Sequence, residues 1–403
     1  MSPAGRLQEL FRGPLGRVVL PAVILQSVLI GGGYATGREI VAYGAKYGSL
    51  GWLSVVAIFL GFSVMSVLTF EVARVFRAYE YKSFIRSVIG PGWPLFDLLY
   101  GAMAVLVIAI MASAAAEIMD TTLGVPPLAG TALVVAAVGG LTYFGASAIE
   151  AFKSVGTLLL YLAYLAFGVA VLWGRWGEVT EVFAAGSTAY AEGANPLDAV
   201  GSGVLYVGYN LAVYPAVLFV LHRQGDTRDS LTSGVLAGLM MTLPFALTYL
   251  CVLAFYPMPE VLDAPVPWLP MLTAAGGGAL VALYGAVMGW TLLETSVGMI
   301  HAILDRADAA LERTAGATSG GRPGEERAGE PPVAPRGDGE GAGLSPLQRG
   351  LIGAGVLAGA ALLSRVGIVA LVAQGYTYMA YGFIALFAVP LLTVGAWRAF
   401  SEG

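Results

Sequence analysis

Apolar positions along this chain run in long unbroken blocks rather than in the alternating or one-sided patterns of a soluble domain. Blocks long enough to cross a bilayer lie near residues 18–46, 50–76, 95–119, 127–146, 152–173, 197–221, 230–256, 273–303, 347–364 and 376–397. A helical crossing needs about 20 residues. The pattern therefore predicts an all-α polytopic membrane protein with ten transmembrane helices. Residues 366–374 are apolar but too short to cross alone, which predicts a half-helix or an extension of the last span. Residues 306–346 are rich in Gly, Pro, Arg and Glu and nearly free of large apolar side chains. Such a segment cannot bury enough surface to offset its ordering entropy, so it predicts a disordered linker.

Two of the ten blocks carry an internal interruption. The first, Val18 to Tyr47, contains "LIGGGYATGREI", with Gly31, Gly32 and Gly33 in succession. Each Gly costs about 1 kcal/mol relative to Ala inside a helix. The sixth carries Gly201, Gly203 and Gly208, then Asn210 and Pro215. Taken singly, either cluster fits close helix packing, since small residues let membrane helices approach. Taken together they fall in spans 1 and 6, five apart. Ten spans then divide into two repeats of five, inverted because five is odd, each with its first helix broken at the midplane. That predicts unwinding at Gly31–Gly33 and at Val207–Asn210. The outer half of span 1 would begin near Tyr34 and offer N–H groups to a carboxylate, while carbonyls near Ile30 would suit an ammonium group or cation. Gly31, Gly32, Gly33, Tyr34, Tyr206, Gly208, Tyr209 and Asn210 are the candidate substrate-binding residues.

Charge orients this layout. Of the 21 Lys and Arg residues, only Arg38, Lys46, Arg175 and Arg365 fall on the outer side if the N-terminus is inside. This matches the positive-inside rule and predicts cytoplasmic termini. The domains are then a cytoplasmic N-terminus (1–16), a first repeat (17–173), an extracellular loop (174–196) and a second repeat (197–398) interrupted by the linker. The apolar segment near the N-terminus runs on through the glycines, so it reads as a retained span and not a cleaved signal peptide.

Composition narrows the function. Hydrophobic residues make up 57% of the 403 and charged residues 12%, against about 25% charged in soluble proteins. No basic patch points to nucleic acid. One cysteine, Cys251, excludes an intramolecular disulfide and a cysteine-built metal site. His222 and His301, the two histidines, lack an acidic partner at motif spacing, which weighs against an intramembrane acyltransferase. Transport of a small solute is the leading expectation. A channel or a transporter-like sensor is the alternative.

The stretch "IGGGYATGREI" resembles the "GAGFATGKEI"-like first span of YkvI-type bacterial membrane proteins. These belong to the amino acid–polyamine–organocation superfamily, which has the LeuT-type fold. The resemblance is specific over residues 30–41 and extends loosely to the ten-span layout; the chain is more distantly similar to branched-chain amino-acid symporters. It implies a cation-coupled transporter of amino acids or similar zwitterions in the bacterial inner membrane. It also implies a possible sodium ion between Thr295 and Ser296 and carbonyls near Ser27 and Ile30, an oxygen-only shell suited to a hard cation. The other reading of those hydroxyls is bonding to their own helix. A carboxylate in hydrocarbon is a functional candidate by default, which makes Glu294 a proton-coupling candidate, with Lys153 either its structural partner or the occupant of the cation position. Glu71 and Glu117 lie at span ends, where snorkelling accounts for them. Arg38 and Glu39 either line the entry vestibule or are solvated loop-end charges. The solute and the bilayer are the expected partners, and no other cofactor is expected.

Overall fold

The computed structural model describes residues 13, 15–30, 34, 36–144, 161–318 and 344–402. Helices and turns account for all of its regular structure, with no strand among the described residues. Seven helices are long and apolar enough to cross a membrane, and Leu15–Leu29, Pro127–Thr142 and Tyr161–Leu172 are shorter apolar helices. These ten segments coincide with the ten apolar blocks. Large side chains such as Leu60, Leu98, Leu162, Leu243 and Leu362 stay exposed on the outside of the bundle, as a hydrocarbon solvent requires.

In span 1, the first helix ends at Leu29, with Ile30 at a non-helical φ −76°, ψ 70°. The second begins at Arg38, four residues later than the sequence predicts, and covers only Arg38–Tyr43. Gly37 sets this start: it sits at φ 81° with its Cα against Trp268, a conformation that L side chains rarely adopt. Gly31–Gly33 and Lys153 lie outside the described residues.

Spans 2 (Gly51–Val75) and 3 (Trp93–Leu123) flank a short amphipathic helix, Tyr81–Ile89, which buries Phe84, Ile85 and Val88. Spans 4 (Pro127–Phe144) and 5 (Tyr161–Leu172) follow. Span 6 starts on a capping box, Asn195 with Asp198, and runs as α-helix to Asn210.

The expected unwinding at Val207–Asn210 takes another form. The helix stays closed and changes type, becoming a 13-residue 3-10 helix, Leu211–Arg223. The side-chain pattern explains it. Leu211, Tyr214, Val217 and Val220 are buried, as are Ala212, Leu218 and Leu221, while Phe219 and His222 are exposed. That is a repeat of three, and side chains at i and i+3 eclipse in a 3-10 helix. Pro215, which has no N–H to donate, falls within it.

Span 7 (Thr227–Leu253) is capped by Asp226. Span 8 (Gly278–Thr318) is longer than expected. Its helix continues through 306–318, so the first part of the predicted linker is helical. Near the start of this extension Asp308 accepts from the Leu344 N–H and pairs with Arg349, which ties span 8 to the start of span 9. Residues 319–343 lie outside the described residues. Span 9 is Pro346–Ser364. Span 10, Ile368–Ala399, includes the short apolar piece as an extension, with π-helical turns at Leu371–Gly375, Ile384–Ala388 and Leu391–Gly395.

The packing partners obey a symmetry in blocks of five spans. Spans 2 and 7, 3 and 8, and 4 and 9 pack together, each pair mapping onto itself when span n exchanges with span n+5. Contacts of span 1 with 7, 3 with 4, and 4 with 8 return as 6 with 2, 8 with 9, and 9 with 3. The chain is a pair of five-span repeats, and an odd number of crossings sets the second upside down relative to the first.

Candidate functional site

The short helix Arg38–Tyr43 directs two adjacent charges in different directions. The Arg38 N–H donates to Thr36 Oγ1 at 3.2 Å, tying down the start of the helix. The Arg38 guanidinium donates through Nη1 to the carbonyls of Leu262 (2.6 Å) and Ala264 (3.1 Å), in the connection between spans 7 and 8. Successive residues on a helix are about 100° apart, so Glu39 faces elsewhere, into the bundle. It is 5% exposed and accepts a 2.6 Å hydrogen bond from the Tyr209 hydroxyl of span 6. None of the ion pairs among the described residues includes it.

Tyrosines surround this carboxylate. Tyr209 stacks on Tyr376 of span 10 with centroids 4.3 Å apart and planes 14° from parallel. Tyr43, one turn after Glu39, contacts Tyr209 and Tyr206 at 5.5 and 5.9 Å. Its hydroxyl reaches the Val372 carbonyl at 3.1 Å and Thr377 Oγ1 at 3.2 Å. Val372 lies in a π-helical turn, which leaves a carbonyl without its usual i+4 donor. Tyr206 packs between Phe62 of span 2 and Phe245 of span 7. Tyr34 rests against Tyr164, and its buried hydroxyl has no partner among the described residues.

Two cavities approach this cluster from opposite ends. One, of ≈ 290 Å³, has Glu39, Tyr34, Tyr209, Asn210 and Tyr376 at its inner end and extends past Thr295 and Met299 to Tyr81, Tyr100 and Arg306. Arg306 closes its mouth: the guanidinium lies 3.5 Å from the Tyr100 centroid and 4.8 Å from that of Tyr81, with Nε 3.6 Å from Asp97 Oδ1. Tyr81 also donates to Asp97. The second cavity, of ≈ 640 Å³, is lined by Arg38, Tyr43, Lys46, Tyr190, Asp198 and Ser202 among others. There, burial and a hydrogen bond to Asp263 push the Tyr190 hydroxyl up to about 12, so it remains a donor at neutral pH. Between the two cavities stand the rings of Tyr43, Tyr206 and Tyr209 and the Glu39 carboxyl group.

The sequence-derived candidates separate accordingly. Tyr34, Tyr209 and Asn210 line the first cavity, and the Asn210 amide donates back to the Tyr206 carbonyl at 2.8 Å. Tyr206 lies behind them, fully buried. Gly208 is a packing residue: a Cβ there would stand 2.8 Å from Ile384 Cδ1 and 3.2 Å from Ala380 Cβ of span 10. Ile30 is buried at the helix end. Ser27 is exposed, with its hydroxyl on the Ile24 carbonyl. Thr295 lines the cavity, whereas the Ser296 hydroxyl donates to the Leu292 carbonyl of its own helix at 2.8 Å. Glu294 is half-buried and does not line either cavity. Glu39 was read only as a vestibule-lining or solvated loop-end charge, and Tyr43 and Tyr376 were not among the candidates. The i, i+4 spacing of Glu39 and Tyr43 on one face was the signal available for the first two; nothing local marks Tyr376.

No protein-family model matches the chain, and no curated protein matches it. Among solved structures, a manganese transporter from Eremococcus coleocola (mutant E129A) is similar with a TM-score of 0.45 and 12% identity, covering 93% of this chain and 85% of that one. A substrate-bound, outward-open Na+-coupled sialic acid symporter is similar with a TM-score of 0.48 and 10% identity, covering 94% and 86%.

Proposed function

We propose that this chain is a secondary transporter of a small organic solute, an amino acid or related zwitterion, working by alternating access in a bacterial inner membrane. One observation carries this reading: two cavities enter from opposite ends and stop at the same thin layer, the Glu39 carboxyl group with its tyrosines. A channel would need a continuous path, and a structural helix bundle would need neither cavity. The arginine-rich end is the cytoplasmic one under the positive-inside rule, so the ≈ 290 Å³ cavity is the cytoplasmic one, with Arg306 across its mouth. That volume is at the small end of ligand pockets and suits a solute of amino-acid size.

The chemistry of the lining supports the same class. Glu39 offers the carboxylate to an ammonium group. Tyr34 brings a buried hydroxyl without a partner among the described residues, and the first helix ends at Leu29, which lines the cavity, with the negative end of its dipole. The aliphatic sides of the cavity, Leu29, Val107 and Met299, accommodate an apolar body. The local likeness to YkvI-type proteins over residues 30–41 agrees with it. Reconstitution into liposomes tests the proposal. Solute uptake that saturates, and that is accelerated by unlabelled solute on the far side, is the expected result. Flux that rises linearly with concentration and shows no such exchange would overturn it in favour of a channel.

A further inference from the structure

We infer that Glu39 is the residue that carries the coupling proton, taking it up from one cavity and releasing it to the other. The inference rests on the alternating-access reading and goes beyond it in naming the coupling group. Glu39 is the single carboxylate among the described residues lining the ≈ 290 Å³ cavity. It is also the charged group that stands nearest the layer dividing the two cavities. Of the two candidates that sequence alone suggested, Glu294 lines neither and Lys153 lies outside the described residues.

The groups facing Glu39 are tyrosines from four spans: Tyr34 and Tyr43 from its own, Tyr164 from span 5, Tyr206 and Tyr209 from span 6, and Tyr376 from span 10. Arg38, the adjacent cation, is turned to the Leu262 and Ala264 carbonyls. A buried carboxylate without a paired cation is costly. No Lys or Arg among the described residues pairs with it, and a proton arriving through either cavity neutralises it whenever no solute ammonium group is bound. Tyrosine hydroxyls suit the exchange because each can donate to the carboxylate or accept from the carboxylic acid.

The cycle balances in protons. With the outer cavity extended to Glu39, a proton from external water bonds to a carboxylate oxygen, and the resulting O–H donates to a tyrosine oxygen. After the layer re-forms on the outer side, the O–H bond breaks, the proton passes to water of the cytoplasmic cavity, and Tyr209 again donates to Oε2. One proton enters and one leaves for each turn.

Thiol labelling tests this without knowledge of the solute. Two reporters are placed in a Cys251→Ala background, where no other cysteine remains. Ala104→Cys reports the cytoplasmic cavity and Ser202→Cys the outer one; both native residues are buried and line those cavities. A difference of one pK unit in proton affinity between two conformations changes their ratio about tenfold. Thiol reactivity itself rises with pH, so the readout is the ratio of the two labelling rates, each normalised to that of the same cysteine in unfolded protein; we expect this ratio to change by at least about that factor between about pH 5 and pH 9. Glu39→Gln should abolish the dependence, and Glu39→Asp should keep it with a displaced midpoint. Full pH dependence in Glu39→Gln, or none in the parent, overturns the inference while leaving alternating access intact. Reporters that label together under all conditions overturn alternating access itself. Should Glu39→Gln fail to fold, an undisplaced midpoint in Glu39→Asp overturns the inference by itself.

Discussion

The Tyr209 hydroxyl donates to Glu39 Oε2 at 2.6 Å, and this bond joins the second half of span 1 to the last α-helical turn of span 6. The two interrupted spans therefore meet through a side-chain pair beside their interruptions. Hydrogen bonds to charged groups contribute more than neutral ones, about 2 kcal/mol. Tyr209→Phe keeps the ring stacked on Tyr376 and removes only the donor. We expect a folded protein with a melting temperature lowered by a few degrees, and with solute affinity reduced at least tenfold in binding assays.

Gly208 gives a contrasting case. Its Cα faces Ile384 and Ala380 of span 10 at a distance that leaves no room for a side chain. Overpacking of this kind costs about 1–3 kcal/mol. Gly208→Leu should lower thermal stability in detergent, and Ile384→Ala in the same chain should restore part of it. A substrate-gripping glycine would behave differently: binding would be lost at unchanged stability.

Arg38 holds the connection between spans 7 and 8 onto span 1 through two carbonyls. Arg38→Ala removes both donors and should raise amide hydrogen exchange around Leu262–Ala264, with a stability loss of about 2–3 kcal/mol. Arg38→Lys, which lacks the planar fork, should recover only part of the protection.

Arg306 closes the mouth of the cytoplasmic cavity by stacking on Tyr100 and pairing with Asp97. The pieces are weak singly, about 0.5–1 kcal/mol for an exposed cation–π contact. Arg306→Ala should therefore leave the melting temperature nearly unchanged while speeding thiol labelling at Ala104→Cys. Asp97→Asn should speed it less, because the stacked guanidinium remains.

Much of the fold was written in the length of the apolar blocks, because a bilayer demands continuous helices and tolerates few alternatives. The end of the first helix at Leu29 was legible for a similar reason, since three successive glycines forfeit helix propensity. The site was less so. Arg38 and Glu39 read alike in sequence as charges near a span end. Only the helix phase, fixed by Gly37, turns one to loop carbonyls and the other into the bundle. Glycines misled in span 6, because a missing Cβ serves close approach as readily as unwinding, and the deciding atom belongs to Ile384 in another span. The threefold spacing of Leu211, Tyr214, Val217 and Val220 was present throughout, but read against a 3.6-residue period it looks merely apolar.

That 3-10 segment stores length. It climbs about 2.0 Å per residue where an α-helix climbs about 1.5 Å, and it turns about 120° per residue in place of about 100°. Every four of its 13 residues that rewound to α geometry would draw the end bearing His222 and Arg223 inward by about 2 Å and rotate it by about 80°. Span 6 thus has the mechanics of a screw thread, in which a local change of pitch becomes both a stroke and a turn at the membrane surface.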